Sequence, residues 1–120
     1  MRVGIDVIEL EKVSKDEKFL KKIAHSEEIE YINQFKCEEA KHQRIAALWC
    51  VKEAVFKCLG LGKDSKVTTN DVMLCHDETG RPYVKLFGVA KSAFDKLKLK
   101  EIEISLSHSQ TIATAIAVAR

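Results

Sequence analysis

The sequence predicts an α+β domain, and three observations carry that prediction. The chain opens on a Val- and Ile-rich run with partial alternation, Arg2–Leu10 (RVGIDVIEL). A block with helical spacing follows. The C-terminal half then alternates at Glu101–Ser107 (EIEISLS) and Ile112–Ala119 (IATAIAVA). One strand, a helical block and then an antiparallel meander with an inserted helix make an α+β layout.

Each element has its own signal. Ser14-Lys15-Asp16-Glu17 matches the S-x-x-E capping pattern, so a helix should run from there to about Ala24. Ser26 is placed to cap a second helix reaching Phe35. Glu38 to Leu59 reads as one long helix, ended by Gly60 and Gly62. Val72–His76 and Pro82–Phe87 flank Asp77-Glu78-Thr79-Gly80, a hairpin turn by composition. Val89–Leu97 carries apolar residues at helical spacing. The last strand is β-branched on one parity and alanine on the other, which predicts close packing against another layer or another subunit.

Composition narrows the class. The 120 residues, 46% of them hydrophobic, suit one globular domain spanning 1–120, and no Pro/Gly-rich linker divides it. The 20 basic and 18 acidic side chains nearly cancel, which argues against a nucleic-acid binder. Asp6 and Glu9 interrupt the N-terminal apolar run, so no signal peptide is expected, and no run is long enough to span a membrane. Cys37, Cys50, Cys58 and Cys75 form no C-x-x-C pair, which disfavours zinc and points to a reduced, cytoplasmic protein.

The chemistry gathers at a few positions. On the long helix Ile45, Leu48, Trp49, Val55, Phe56 and Leu59 form an apolar stripe, and Lys52 falls near its centre. Glu53 and Lys57 lie beside it, one turn apart. Two readings fit: a snorkelling lysine beside an i,i+4 ion pair, or two lysines and a carboxylate holding a metal-bound polyphosphate. Asp6 is costly in an apolar strand unless it bonds backbone at a strand end or binds metal. With Glu53 it would suffice for Mg²⁺ if the strand lies against the helix. His108, between two strands, is either an exposed turn residue or a phosphate or acid–base group. Lys15, Lys18 and Lys22 share a helical face with Lys12 just before it, either a solvated face or a docking strip for an acidic partner.

Together these segments resemble the holo-acyl-carrier-protein synthase family, the small bacterial 4′-phosphopantetheinyl transferases. Gly4–Leu10 resembles the family's G-x-D-x-x-E-I/L strand, and Lys22–Tyr31 its second-helix entry. Trp49–Gly60 resembles W-A-x-K-E-A-x-x-K-A-x-G, Gly80-Arg81-Pro82 its G-x-P turn, and Ser105–Ala119 its histidine hairpin and alanine-rich last strand. Cys50 and Cys58 stand where alanine is usual, and Leu61-Gly62 where Thr-Gly is common. The basic strip uses lysine where relatives often use arginine.

The resemblance implies a 4′-phosphopantetheinyl transferase fold, an antiparallel sheet packed against a long helix and smaller helices. It implies transfer of the 4′-phosphopantetheine arm of coenzyme A to a serine of apo acyl carrier protein, supporting fatty acid biosynthesis and releasing adenosine 3′,5′-bisphosphate. Asp6 and Glu53 would hold Mg²⁺, with Mn²⁺ the alternative ion. Glu53 and Lys57 would be catalytic, Glu53 as the leading candidate base. Lys52, Lys57, Gly60, Pro82, His108 and Ser109 would bind coenzyme A; Glu9 fits the motif without a ligand role. Lys12, Lys15, Lys18 and Lys22 would dock the acidic carrier protein, and a homotrimer would share its sites between subunits. The competing classes are a metal-dependent phosphohydrolase acting on coenzyme A and a non-enzymatic nucleotide-binding module.

Overall fold

The computed structural model describes residues 1–120. β1 (Arg2–Glu9) leads through a 3₁₀ turn (Leu10–Lys12) to α1 (Glu17–Ile23) and α2 (Ser26–Asn33), then to the long α3 (Glu38–Cys58). A second 3₁₀ turn (Thr69–Asp71) opens the hairpin β2 (Val72–His76) and β3 (Pro82–Leu86). α4 (Gly88–Lys96), β4 (Ile102–His108) and β5 (Ile112–Ala119) complete the chain.

The strands divide differently from a single meander. β1, β5 and β4 form one antiparallel sheet in that order, and β2 pairs only with β3. The first strand therefore borders the last. β5 takes β4 on one edge through their tight turn and β1 on the other, with Asp6 opposite Ala115 and Ala115 opposite Leu106.

The alanine parity of β5 meets another layer of the same chain. Ala113, Ala115, Ala117 and Ala119 are buried beneath α3, where small side chains let helix and sheet approach closely. β1 takes the same principle further. A Cβ at Gly4 would lie 2.1 Å from the Ala54 carbonyl oxygen and 2.4 Å from the Cys58 nitrogen. The absence of that side chain lets α3 rest on β1 beside Asp6.

α3 is more central than a helix with one apolar stripe. Ala46, Ala47, Cys50, Val51 and Ala54 are buried as well as Ile45, Leu48 and Val55, so the helix is enclosed on most sides. It ends as the glycines predict: Gly60 adopts φ +71°, its N–H donates to Lys57 O, and Leu61 N donates to Phe56 O at 2.8 Å.

Two helix starts differ from expectation. α1 begins at Glu17 and its cap is Asp16, whose carboxylate accepts from Lys18 N at 3.1 Å. Ser14 instead accepts from Asp16 N, an ST-type turn that takes the serine out of the capping position. Lys15 thus precedes the helix. α2 is capped at His25 rather than Ser26, with Glu28 reaching back to the His25 N–H at 2.8 Å.

The other face of the large sheet is apolar and open. Val3, Ile5 and Val7 on β1 are 56%, 60% and 62% exposed, and Ile112 and Ile116 on β5 lie beside them. No helix is long and apolar enough to cross a membrane.

Candidate active site

Close packing at Gly4 brings β1 and α3 together, and the first group of site residues forms there. Lys57 Nζ lies 3.0 Å from Asp6 Oδ1 and donates to Ile5 O at 3.1 Å. Glu53 is one turn before Lys57 and half-buried. Burial first, and then the Asp6 charge, push the Glu53 carboxyl above its ordinary range, against the pull of Lys57. Two neighbouring carboxylates with a cation alongside are suited to a multivalent ligand. The Cys50 thiol sits against the same group; burial and Asp6 push it up to about 12, so it stays protonated.

Lys52 is not part of a phosphate site. Its ammonium is fully buried and donates to Ile23 O (2.8 Å), Glu28 Oε1 (2.8 Å) and Thr69 O (2.9 Å). All three ammonium protons are used and none faces an opening. The apolar stripe placed Lys52 correctly on the buried face, but the hydrogen-bonding partner is Glu28, 24 residues earlier. Its assignment to coenzyme A is therefore corrected.

A cleft of about 240 Å³ opens on the opposite flank of α3. Its walls come from α2 (Tyr31), α3 (Arg44, Leu48), the β2–β3 hairpin (His76, Pro82) and β4 (His108). Tyr31 stacks on His76 with centroids 4.1 Å apart and planes 12° apart. Arg44, which the sequence reading missed, supplies the cleft's permanent cation. Its guanidinium lies 3.7 Å over the Phe35 ring, and its buried Nε has no hydrogen-bond partner. Its Nη1 donates to Ala40 O at 3.4 Å, and it forms no ion pair, so the half-buried guanidinium keeps donor capacity for an anion in the cleft. The available signal was its place on the long helix, one turn before Leu48.

Nine residues at about 100° each set Arg44 and Glu53 about 180° apart around α3. The structure thus splits the sequence candidates. Asp6, Glu53 and Lys57 meet on one flank; Pro82 and His108 line the cleft on the other. Gly60 caps α3, and Ser109 is committed to the β4–β5 turn, its hydroxyl accepting from Thr111 N and Ile112 N. Lys15, Lys18 and Lys22 are exposed, and Lys12 pairs with Glu9 at 3.4 Å.

The 4′-phosphopantetheinyl transferase superfamily model matches residues 2–117. The chain belongs to this superfamily. A holo-acyl-carrier-protein synthase of Thermoanaerobacter sp. (strain X514) is 38% identical over 121 residues, covering 98% of this chain and 85% of the relative. That of Ruminiclostridium cellulolyticum is 36% identical over 123 residues, covering 98% and 90%. Among solved structures, the synthase of Bacillus anthracis in complex with CoA (3′,5′-ADP) superposes with a TM-score of 0.80 at 26% identity, covering 98% of this chain and 94% of that one. The Plasmodium yoelii acyl carrier protein synthase with ADP bound gives 0.82 at 28% identity, covering 98% and 93%.

In this transferase the donor set fits a hard divalent cation that relies on its substrate. No cluster of three or more His, Cys, Asp or Glu side chains could enclose a metal unaided. Asp6 and Glu53 offer two carboxylates, the number Mg²⁺ takes when phosphates and waters complete its shell.

The cleft histidines predict a titration. Burial first, then Arg44, hold both His76 and His108 below the usual imidazole value of 6.5. A lowered folded value means the neutral form is favoured. Their contribution to stability is present above 6.5 and is lost as pH falls through the lowered values. NMR titration should give both midpoints below 6.5, and Arg44→Ala should move both upward. Midpoints unchanged by Arg44→Ala would show that the guanidinium does not act on the cleft.

Proposed function

We propose that this chain transfers the 4′-phosphopantetheine arm of coenzyme A to a serine of apo acyl carrier protein, using Mg²⁺ at Asp6 and Glu53. The observation that carries the reading is the joint placement of Asp6, Glu53 and Lys57 by a glycine-mediated helix–strand contact. The serine oxygen forms a bond to the β-phosphorus of coenzyme A. The bond from that phosphorus to the bridging oxygen breaks, and adenosine 3′,5′-bisphosphate leaves. Glu53 accepts the serine proton, its raised affinity for protons suiting it to that task. Lys57 offsets charge on the departing phosphate. When bound, the cation supplies charge neutralisation at the pyrophosphate.

Arg44, Pro82 and His108 bind the nucleotide end of coenzyme A, the guanidinium meeting a phosphate. Because this cleft and the Asp6–Glu53 group lie on opposite flanks of α3, one coenzyme A reaches both only across two chains. The open apolar face of β1 and β5 supports that arrangement: it is a contiguous hydrophobic surface of the kind that self-association covers. A cytoplasmic homotrimer with shared sites is the form proposed. Lys15, Lys18 and Lys22 present the basic surface to the acidic carrier protein.

Acceptor dependence tests the reaction. Chromatography of a mixture of enzyme, coenzyme A and Mg²⁺ should show adenosine 3′,5′-bisphosphate only when apo carrier protein is added. Equal release without acceptor would favour the phosphohydrolase instead.

A further inference from the structure

Lys52 does not touch the cleft, but its partner does. Glu28 lines the cleft wall while its carboxylate gathers three donors: Lys52 Nζ at 2.8 Å, His25 N at 2.8 Å and Leu74 N at 2.7 Å. We propose that the buried Lys52–Glu28 pair is a positioning device for the coenzyme A cleft, setting the spacing of its α2, α3 and β2 walls. The inference rests on the reading of this cleft as the nucleotide site.

The bonds reach each wall in turn. Lys52 anchors α3 to the end of α1 at Ile23 O and to the 3₁₀ turn before β2 at Thr69 O. Glu28 Oε2 takes the Leu74 N–H at the edge of β2, where a third strand would otherwise pair. Two residues beyond Leu74 is His76, and three beyond Glu28 is Tyr31. These two side chains stack at 4.1 Å to form one wall of the cleft. The Glu28–Leu74 bond therefore sets how closely the stacked wall closes.

Stability alone is a weak reason for such a pair. Buried ion pairs replaced by neutral groups of similar volume often leave a protein equally stable. That property makes the test possible. Glu28→Gln keeps the volume and removes the charge; Glu28→Gln with Lys52→Met leaves no buried charge unpaired. Calorimetric titration with coenzyme A is run on wild type and both variants well below their melting points. Both should bind coenzyme A about tenfold or more weakly, while kcat at saturating coenzyme A changes by less than about threefold. A folded variant binding within about twofold of wild type overturns the inference. Wild type that fails to bind coenzyme A sinks the reading of the cleft instead, so the two failures are distinct. Amide exchange on wild type is independent of whether the variants fold. The Leu74 N–H should be protected and become more so with coenzyme A; exchange at the rate of a free strand edge overturns the proposal.

Discussion

Glu53→Gln is expected to lower kcat by about a hundredfold to a thousandfold, or more, while leaving the protein at least as stable as before. The two effects have one cause. Burial and the Asp6 charge hold the Glu53 carboxyl above its ordinary range. A raised folded value means that this group stabilises the fold below about 4.5 and that the contribution is lost as pH rises through the folded value. Near neutrality the ionised Glu53 is therefore a cost, offset in part by Lys57. The amide removes that cost and removes with it the anionic oxygen that the proposed mechanism uses for Mg²⁺ and for the serine proton. Activity should fall while the melting temperature holds or rises, a pattern expected of a site that sacrifices stability for chemistry. Added Mg²⁺ should raise the melting temperature of wild type and not that of Glu53→Gln. A variant with near-normal turnover at limiting Mg²⁺ would remove Glu53 from the site.

Gly4→Ala should produce the largest structural effect of a methyl added at any of the five glycines. The new Cβ would sit 2.1 Å from Ala54 O and 2.4 Å from Cys58 N, both backbone atoms of α3. Neither can swing aside as a side chain tip can, so helix and strand must separate. Overpacking commonly costs 1–3 kcal/mol, and a clash with helix backbone belongs at about 3 kcal/mol or more. Set against a total of roughly 5–15 kcal/mol, that is a large share. The melting temperature should drop by about 10 °C or more. Separation also moves Asp6 on β1 away from Glu53 on α3, so activity should be lost below the new melting point, where the chain is still folded. A Gly4→Ala protein with wild-type melting and turnover would show that the contact is slack.

The residues themselves explain what could be read beforehand. Element types followed from local rules: the β5 alternation, the α3 periodicity and the Gly60 stop concern neighbours in sequence. The Asp6, Glu53 and Lys57 group was legible because a lone strand aspartate needs a partner and the family motifs matched end to end. Lys52 was misassigned for a physical reason. Spacing along α3 shows that it is buried, but not that Glu28 and two backbone carbonyls wait for it from α1, α2 and the turn before β2. Arg44 was missed for a related reason. Its meaning comes from a cleft that distant segments assemble and from an Nε left there without a hydrogen-bond partner. The β2–β3 hairpin was legible from its turn, but its separation from the other three strands was not, because alternation reveals strands but not which edges they choose.

The central claim is that one chain carries two half-sites on opposite flanks of α3 and that neighbouring chains complete each other. Co-expressing Asp6→Asn chains with Arg44→Glu chains tests it most directly, read by the intact mass of apo acyl carrier protein after incubation with coenzyme A and Mg²⁺. Each variant alone should leave the carrier unmodified, whereas the mixed oligomer should attach one phosphopantetheine, because some interfaces then pair an intact Asp6–Glu53 group with an intact cleft. A mixed oligomer as inactive as its parents would contradict the shared site, and full activity in either parent would contradict the half-site that it lacks.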